Sequence, residues 1–439
     1  MNTIQKISLV TFLFGVSQFS AQAQSTNRSP YSSYGIGELE STGYAYNASM
    51  GDAKYAIADP YQINIANPAS YGSLRLPTFN VGVNYNFLQI NQGSSSQSGN
   101  IGYLKNISLG FPIAKWWGMS FGLVPKSRMG YRFTSSESVS GLGTINYVYE
   151  GEGGINRAYF GNGFNLITDT TQTLSVGFNA SYIFGNLNRQ KRVEPQDIDG
   201  AFNTFYSKEM KVSDFNFDFG LLYKRKFNRN LSASIGAFYS LGDSVRTRTN
   251  EYAYTYRATP ISDIIEDTII SRLDTGNLYI PQTTGIGFTV QLNKRQDQYN
   301  KQYLLAVDYS TTDWSKASLL GNNLGLAKRN QISIGFQYVP DAKSYKNVQK
   351  MLNYRVGLRY TNTHLIVDNK NIVEYGISFG IGIPIISAGQ GTMFNIGIEA
   401  GRRGSKNVNP VYEQFTNIHI GLSLTPSKFD RWFYKSKID

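Results

Sequence analysis

The chain has 439 residues, 41% hydrophobic and 14% aromatic but only 16% charged, with a formal net charge of +12, two histidines and no cysteine. Soluble domains carry about 25% charged residues and disordered chains are poor in aromatics, so the composition excludes disorder. The absent cysteine excludes disulfides, thiolate metal sites and cysteine nucleophiles, and His364 with His419 is too little for a histidine-rich metal centre. After the N-terminus no run of about 18 apolar residues occurs, which excludes a bundle of membrane helices and leaves a large all-β protein.

In chain order, residues 1–23 have the layout of a signal peptide: Lys6, an apolar core at 7–14, and the small-x-small site Ala21-Gln22-Ala23. The expectation is export across the inner membrane of a Gram-negative cell to the outer membrane. Residues 24–76 show no period-2 pattern and are rich in Tyr, Gly, Ser and Asn. They read either as a periplasmic tail or as a hatch (plug) folded into a barrel, and their low charge and tyrosines favour burial.

From residue 77 alternation dominates. Phe79, Val81, Val83, Tyr85 and Phe87 alternate with Asn80, Gly82, Asn84 and Asn86, and later segments repeat the pattern. The strands expected are 77–90, 101–113, 116–134, 144–165, 172–187, 210–226, 230–246, 279–292, 302–313, 328–340, 352–364, 372–385, 391–402 and 411–424. Each is long enough to cross a bilayer at a tilt, and the count is even. Long connectors (135–143, 188–209, 247–278 among them) alternate with shorter ones, as in an outer-membrane barrel with loops outside and turns in the periplasm. The fold expected is therefore a transmembrane antiparallel β-barrel of about 14 strands over 77–424. Trp116, Trp117 and Trp314 lie beside connectors, where a girdle at the lipid–water interface belongs.

Asp218, Asp308, Arg355, Arg359, Glu374 and Glu399 fall on the strand face opposite the apolar set. A charge facing lipid near the midplane costs about 2–4 kcal/mol, so these six are expected to face the lumen. Two readings stay open for them, a structural ion-pair network and a ligand-selective lumen. Residues 425–439 form a periplasmic tail in which basic residues alternate with aromatics. Its Arg431, Trp432, Phe433 and Tyr434 either cap the barrel rim beside lipid head groups or bind a partner.

Met50-Gly51-Asp52-Ala53, then Ala58-Asp59-Pro60 and Asn67-Pro68-Ala69-Ser70 before the first strand, resembles the start of the FadL-type outer-membrane proteins. Further echoes are Val307-Asp308-Tyr309-Ser310 and Tyr354-Arg355-Val356-Gly357-Leu358-Arg359-Tyr360. The chain departs from that pattern at Asp52, where a second glycine is usual, and in its tail. The resemblance implies a fourteen-stranded barrel with an N-terminal hatch, in which Met50, Gly51, Asp52, Asn67, Pro68 and Ala69 shape or gate the lumen. Pro68 fixes its own φ and biases Asn67 to an extended conformation. The family implies passive, hatch-gated uptake of fatty-acid-like or aromatic hydrophobic molecules. It also includes PorV-type barrels, which imply the alternative of a non-transporting accessory subunit of an outer-membrane secretion or assembly complex. The expected partners are outer-membrane lipid and either a hydrophobic ligand or protein partners.

Gly376-Ile377-Ser378-Phe379-Gly380 matches G-x-S-x-G but lies within an alternating strand instead of a strand-turn-helix elbow, so no enzyme is expected. Neither a cofactor nor a metal nor nucleic acid is called for, since basic residues form no single face.

Overall fold

The computed structural model describes residues 29–426, apart from 94, 142, 199, 259–261, 297–298, 345–346, 386–390 and 406–410. The expected signal peptide and the tail residues Arg431, Trp432, Phe433 and Tyr434 lie outside the described residues. Before the barrel come a two-residue strand β1 (Glu38–Leu39), a helical turn at Ala45–Ala48 and a 3-10 turn at Pro68–Ser73.

The strands that follow are β2 (Thr78–Gln92), β3 (Ser95–Ala114), β4 (Trp117–Val139), β5 (Gly143–Thr168), β6 (Gln172–Pro195), β7 (Asn203–Lys226), β8 (Leu231–Ser240), β9 (Asp243–Ala258), β10 (Asp263–Ile280), β11 (Thr283–Gln296) and β12 (Tyr299–Asp313). Beyond them lie the two-residue strands β13 (Ser318–Leu319) and β14 (Asn322–Asn323), then β15 (Lys328–Val339), β16 (Asn353–Val367), β17 (Lys370–Pro384), β18 (Met393–Arg403) and β19 (Val411–Leu424). All belong to one 19-stranded sheet. Setting aside β1, β9, β10, β13 and β14 leaves fourteen, each antiparallel to the next, and β19 pairs with β2 to close the ring. β8 pairs with β11 beneath the β9–β10 hairpin, so that hairpin is an addition to the wall and does not interrupt it.

Period-2 side-chain direction sorts the wall. On β2, Val83, Tyr85 and Phe87 are exposed on the outside while Asn80 and Asn84 are buried inside. Each backbone N–H and C=O in a closed ring finds a neighbour, the condition for crossing hydrocarbon without a helix.

The connectors at one end differ from expectation. β4, β5, β6 and β7 run for 23, 26, 24 and 24 residues, more than twice the 9–11 that a bilayer needs. They continue through the segments read as loops 135–143 and 188–209, and 247–278 is itself a hairpin, with β9 pairing to the upper part of β7. These stretches carry polar residues on both faces, so the apolar–polar contrast that marks a strand in lipid vanishes there. The result is an apron of six strands standing on one side of the barrel.

At the edge of that apron the wall opens into a seam. β3 and β4 pair only from Ile107↔Leu123 down to Ala114↔Trp117, and above this the partner of β4 is β1, through Glu38↔Arg128 and Leu39↔Ser127.

Trp116 is exposed and stacks with Trp117 and Phe164, as a girdle residue should. Trp314 does not: it is buried with Ile36, Met129, Ile155, Ile183, Leu187, Met210, Val212, Val245 and Leu278 in a core at the apron end. Its connector folds inward over the lumen, a tertiary contact that position beside a strand end does not reveal.

Candidate functional site

Most residues between Ser29 and Leu74 are buried, packed against the inside of the wall. Gly51 and Asp52 take left-handed backbone conformations, at φ 63° and 68°, so the chain reverses here and presses against the wall. Aspartate is among the few residues that tolerate that region, which is how Asp52 stands where the FadL-type pattern has glycine. A Cβ on Gly357 of β16 would lie 1.9 Å from the Gly51 nitrogen, so only two bare backbones fit at this crossing. The Gly51 N–H donates to Ser378 Oγ at 2.9 Å, which gives the G-x-S-x-G serine a holding role. Met50 is 1% exposed and packs among Ala53, Ile57, Ile63, Ile65 and Tyr71.

Asp52 accepts from Lys54 Nζ at 2.6 Å, from Ser41 Oγ at 2.5 Å and from Gln331 Nε2 at 3.1 Å. Burial alone would raise its carboxyl, but the Lys54 ammonium and these donors override that and hold it well below the usual carboxylate range. Next along the chain, the backbone N–H groups of Lys54 and Tyr55 both donate to Asp308 Oδ2 of β12, at 2.5 and 2.8 Å.

Asn67, Pro68 and Ala69 are buried against the other wall. Asn67 is extended (φ −140°, ψ 102°), and Pro68 opens the 3-10 turn. The Asn67 amide donates to the carbonyls of Tyr55 (2.6 Å) and Leu221 (3.1 Å) and its oxygen accepts from the Ala69 N–H (3.1 Å), so one side chain ties the segment to itself and to β7. Tyr71 completes the contact by donating to Asn179 of β6 at 3.0 Å.

The six charges read from strand parity all lie on the inside. Asp218 pairs with Arg157 at 2.6 Å, both buried. Arg355 is held by amide oxygens, Gln337 and Asn395, each at 2.7 Å. Arg359 bridges Glu374 and Glu399, and Arg403 reaches Glu374, Glu413 and, from the N-terminal segment, Glu38. Sequence reading missed Arg403, Glu413, Glu38 and Arg157. Arg403 and Glu413 share the inward parity of Glu399 and His419, so extending the strand ending at 402 by one residue would have found Arg403.

A second missed cluster spans the seam. Glu40 accepts from Lys105 of β3 at 2.6 Å and pairs with Arg128 of β4 at 3.2 Å. Arg128 also donates to the Leu104 carbonyl at 3.0 Å and lies over the Tyr103 ring at 3.6 Å. The N-terminal segment thus joins the two strands where their ladder stops.

Between that segment and the wall remains a cavity of about 150 Å³, lined by Glu38, Glu40, Lys105, Arg128, Arg359, Glu374, Arg403 and Glu413 among others. Small-molecule sites are commonly about 300–1,000 Å³ and mostly apolar. This one is small, charged and edged by polar atoms without a protein hydrogen-bond partner, including Asn84 Oδ1 and Thr361 Oγ1, the surroundings that hold water. Above it the lumen turns apolar: on β6 the inward residues pass from Ser175, Asn179 and Ser181 to Ile183 and Leu187, and these join the buried core around Trp314.

A family model described as BamG matches residues 3–439. The chain belongs to the BamG family. No curated protein matches its sequence. Among solved structures, this BamG-family chain is similar to the CymD monoaromatic hydrocarbon channel, with a TM-score of 0.52, 11% identity, and 90% of this chain and 99% of that one covered. The Ralstonia pickettii toluene transporter TbuX gives 0.54 at 13% identity (88% and 98% covered), and the P. putida toluene transporter TodX gives 0.54 at 13% (88% and 99%). At such identities the likeness is one of fold, a closed fourteen-stranded barrel of the outer-membrane transporter type.

Proposed function

We propose that this chain is a closed outer-membrane barrel that works as an accessory subunit of an outer-membrane secretion or assembly complex. On this reading residues 1–23 export it, residues 24–76 plug it permanently, and the apron faces the cell exterior. The observation that carries the reading is the filled lumen: glycine-tight packing of the plug, a layer of buried ion pairs, then an apolar cap around Trp314 and Leu187. Paired lumenal charges and a dry cap stiffen a scaffold and leave little room for a permeant. The test is purification from gently solubilised native membranes. A near-stoichiometric partner set is expected, and a lone barrel at high purity overturns the reading.

A second reading, hatch-gated uptake of a hydrophobic compound, is favoured by the seam. The break between β3 and β4 leaves a notch of about 300 Å³ lined by Tyr103, Leu104, Leu123, Pro125, Arg128 and Asn156, where a sideways route would open if the Glu40 bridge parted. Its gate would be the segment bearing Met50, Gly51, Asp52, Asn67, Pro68 and Ala69. Flux of toluene or a fatty acid into liposomes, altered by Pro68→Ala, supports that reading, and absence of flux for every hydrophobic compound tried overturns it.

A further inference from the structure

The β9–β10 hairpin carries a feature that neither a plugged barrel nor a channel requires. Its second strand is exposed from Asp263 through Leu273 without interruption. Ile264, Ile265, Ile269, Ile270 and Leu273 are 52, 52, 57, 37 and 53% exposed. Among the described residues, β10 from 263 to 277 pairs on one side alone, with β9, and meets β13 only at Leu278 and Tyr279. That leaves about 50 Å of free strand edge.

Natural edges are commonly blunted with Lys or Pro. Residues 262–280 contain neither. Two irregularities, between Ile265 and Asp267 and between Thr268 and Ile270, turn aliphatics toward both faces, and the charges on this edge are acidic apart from Arg272. Lipid does not cover this surface: Asp263, Glu266, Asp267 and Asp274 are interspersed among the aliphatics, and Leu278 and Ile280 already lie in the apolar core below. A long exposed edge that carries aliphatics and neither Lys nor Pro is a template for another strand.

Charge selects the occupant. Over 263–274 there are four acids and one arginine, a net of −3 in a chain of +12. A second copy would set one acidic strip against another, since antiparallel self-pairing brings the same four carboxylates to both sides. We infer that the free edge of β10 is the docking site for a β-strand of a different protein, one whose aliphatic residues are flanked by Lys or Arg. This rests on the accessory-subunit reading and names the surface through which it acts.

The experiment places a photoreactive benzoylphenylalanine at Ile265 or Ile269 of the full chain in native membranes, with Phe219 on the lipid face as control. Crosslinks from both hairpin positions to one peptide of another protein, strand-forming and basic, are expected, with none from Phe219. The double variant Asp263→Lys, Asp267→Lys should cut that crosslink at least tenfold while heat-modifiable gel migration shows an intact barrel. Crosslinks to a second copy of the chain, to lipid alone, or none at all overturn the inference. If the wild-type barrel still purifies with partners in those cases, the accessory reading stands and only the hairpin assignment falls; if it purifies alone, both fall.

Discussion

The two sides of this barrel close the same lumen by opposite chemistry. On the tall side, β4 to β7 run past the rest of the wall and their inward residues become Met129, Ile155, Ile183, Leu187 and Met210, an apolar core. On the short side, β15 to β18 run 12, 15, 15 and 11 residues, and their inward residues are Gln331, Arg355, Arg359, Glu374 and Glu399. Dry packing is non-directional and tolerates exchange among shapes of similar volume, whereas a buried charge layer is held only while every partner is present. The sides should therefore fail differently.

The largest effect is expected on the short side. Arg403→Met removes the shared cation of Glu374, Glu413 and Glu38 and leaves buried carboxylates without it, a loss of about 3–5 kcal/mol. Urea unfolding of the refolded barrel in detergent reads this, and proteolysis should reach the N-terminal segment, since Glu38 is released. Replacing Arg403, Glu374 and Glu413 together by apolar residues should restore much of the loss. If the single and triple variants are equally unstable, the layer is not a charge network.

On the tall side, Leu187→Ala leaves a cavity in a core where Leu187 is fully buried, at about 2–5 kcal/mol depending on collapse. Leu187→Met should cost less than about 1.5 kcal/mol, the tolerance that distinguishes this side from the other. The two lesions, in separate clusters with no shared partner, should add in the Leu187→Ala, Arg403→Met double variant to within about 0.5 kcal/mol. A larger coupling would mean that the plug transmits strain between the sides.

The contact between the N-terminal segment and the wall is next. Asn67→Ala leaves the Tyr55 and Leu221 carbonyls and the Ala69 N–H short of a partner, a loss of about 1–3 kcal/mol, read as faster proteolysis of the N-terminal segment with the barrel intact. Asp52 behaves differently with pH. Its carboxyl is held below the ordinary range, so its contribution is present above about pH 4 and lost only as pH falls through the lowered folded value. The share of the N-terminal segment's protease resistance that Asp52 supplies, read as the difference between wild type and Asp52→Asn, should thus be constant from about pH 8 to 5 and fall in stronger acid. An Asp52→Asn variant should lose that acid step.

The short side was readable from sequence because lipid imposes contrast. Arg355, Arg359, Glu374 and Glu399 stand out against Val356, Leu358, Ile377 and Ile398, and parity alone puts them inside. The tall side was not, because there polar residues stand on both faces of a strand: Thr134 and Ser135, or Arg192 and Val193, give no alternation to count. Ile183 and Leu187 illustrate the trap most directly. They sit on the inward face, yet they are apolar, and between them Gly185 lies against the Gly154 carbonyl with no room for a side chain. The Glu40 bridge was equally hidden, since it joins three segments far apart in the chain and a missing ladder leaves no mark in composition.

The smallest effect sharpens the comparison most. Arg132 and Glu150 form an ion pair on the apron at 3.0 Å, with side chains 58 and 26% exposed. Water screens such a pair and the side chains lose entropy in making it, so Arg132→Ala should change stability by less than about 1 kcal/mol. The backbone ladder that joins these same residues, Arg132↔Glu150, continues unbroken on either side of them and holds the apron without their charges. The same chemical pairing that supports the short side of the lumen is thus expendable on the exposed apron. Partner binding by the apron should accordingly survive Arg132→Ala but fall with Asp263→Lys, Asp267→Lys, since only the latter carboxylates flank an open strand edge. If both sets of changes weaken a partner equally, the apron acts through its general charge and the edge of β10 has no special part.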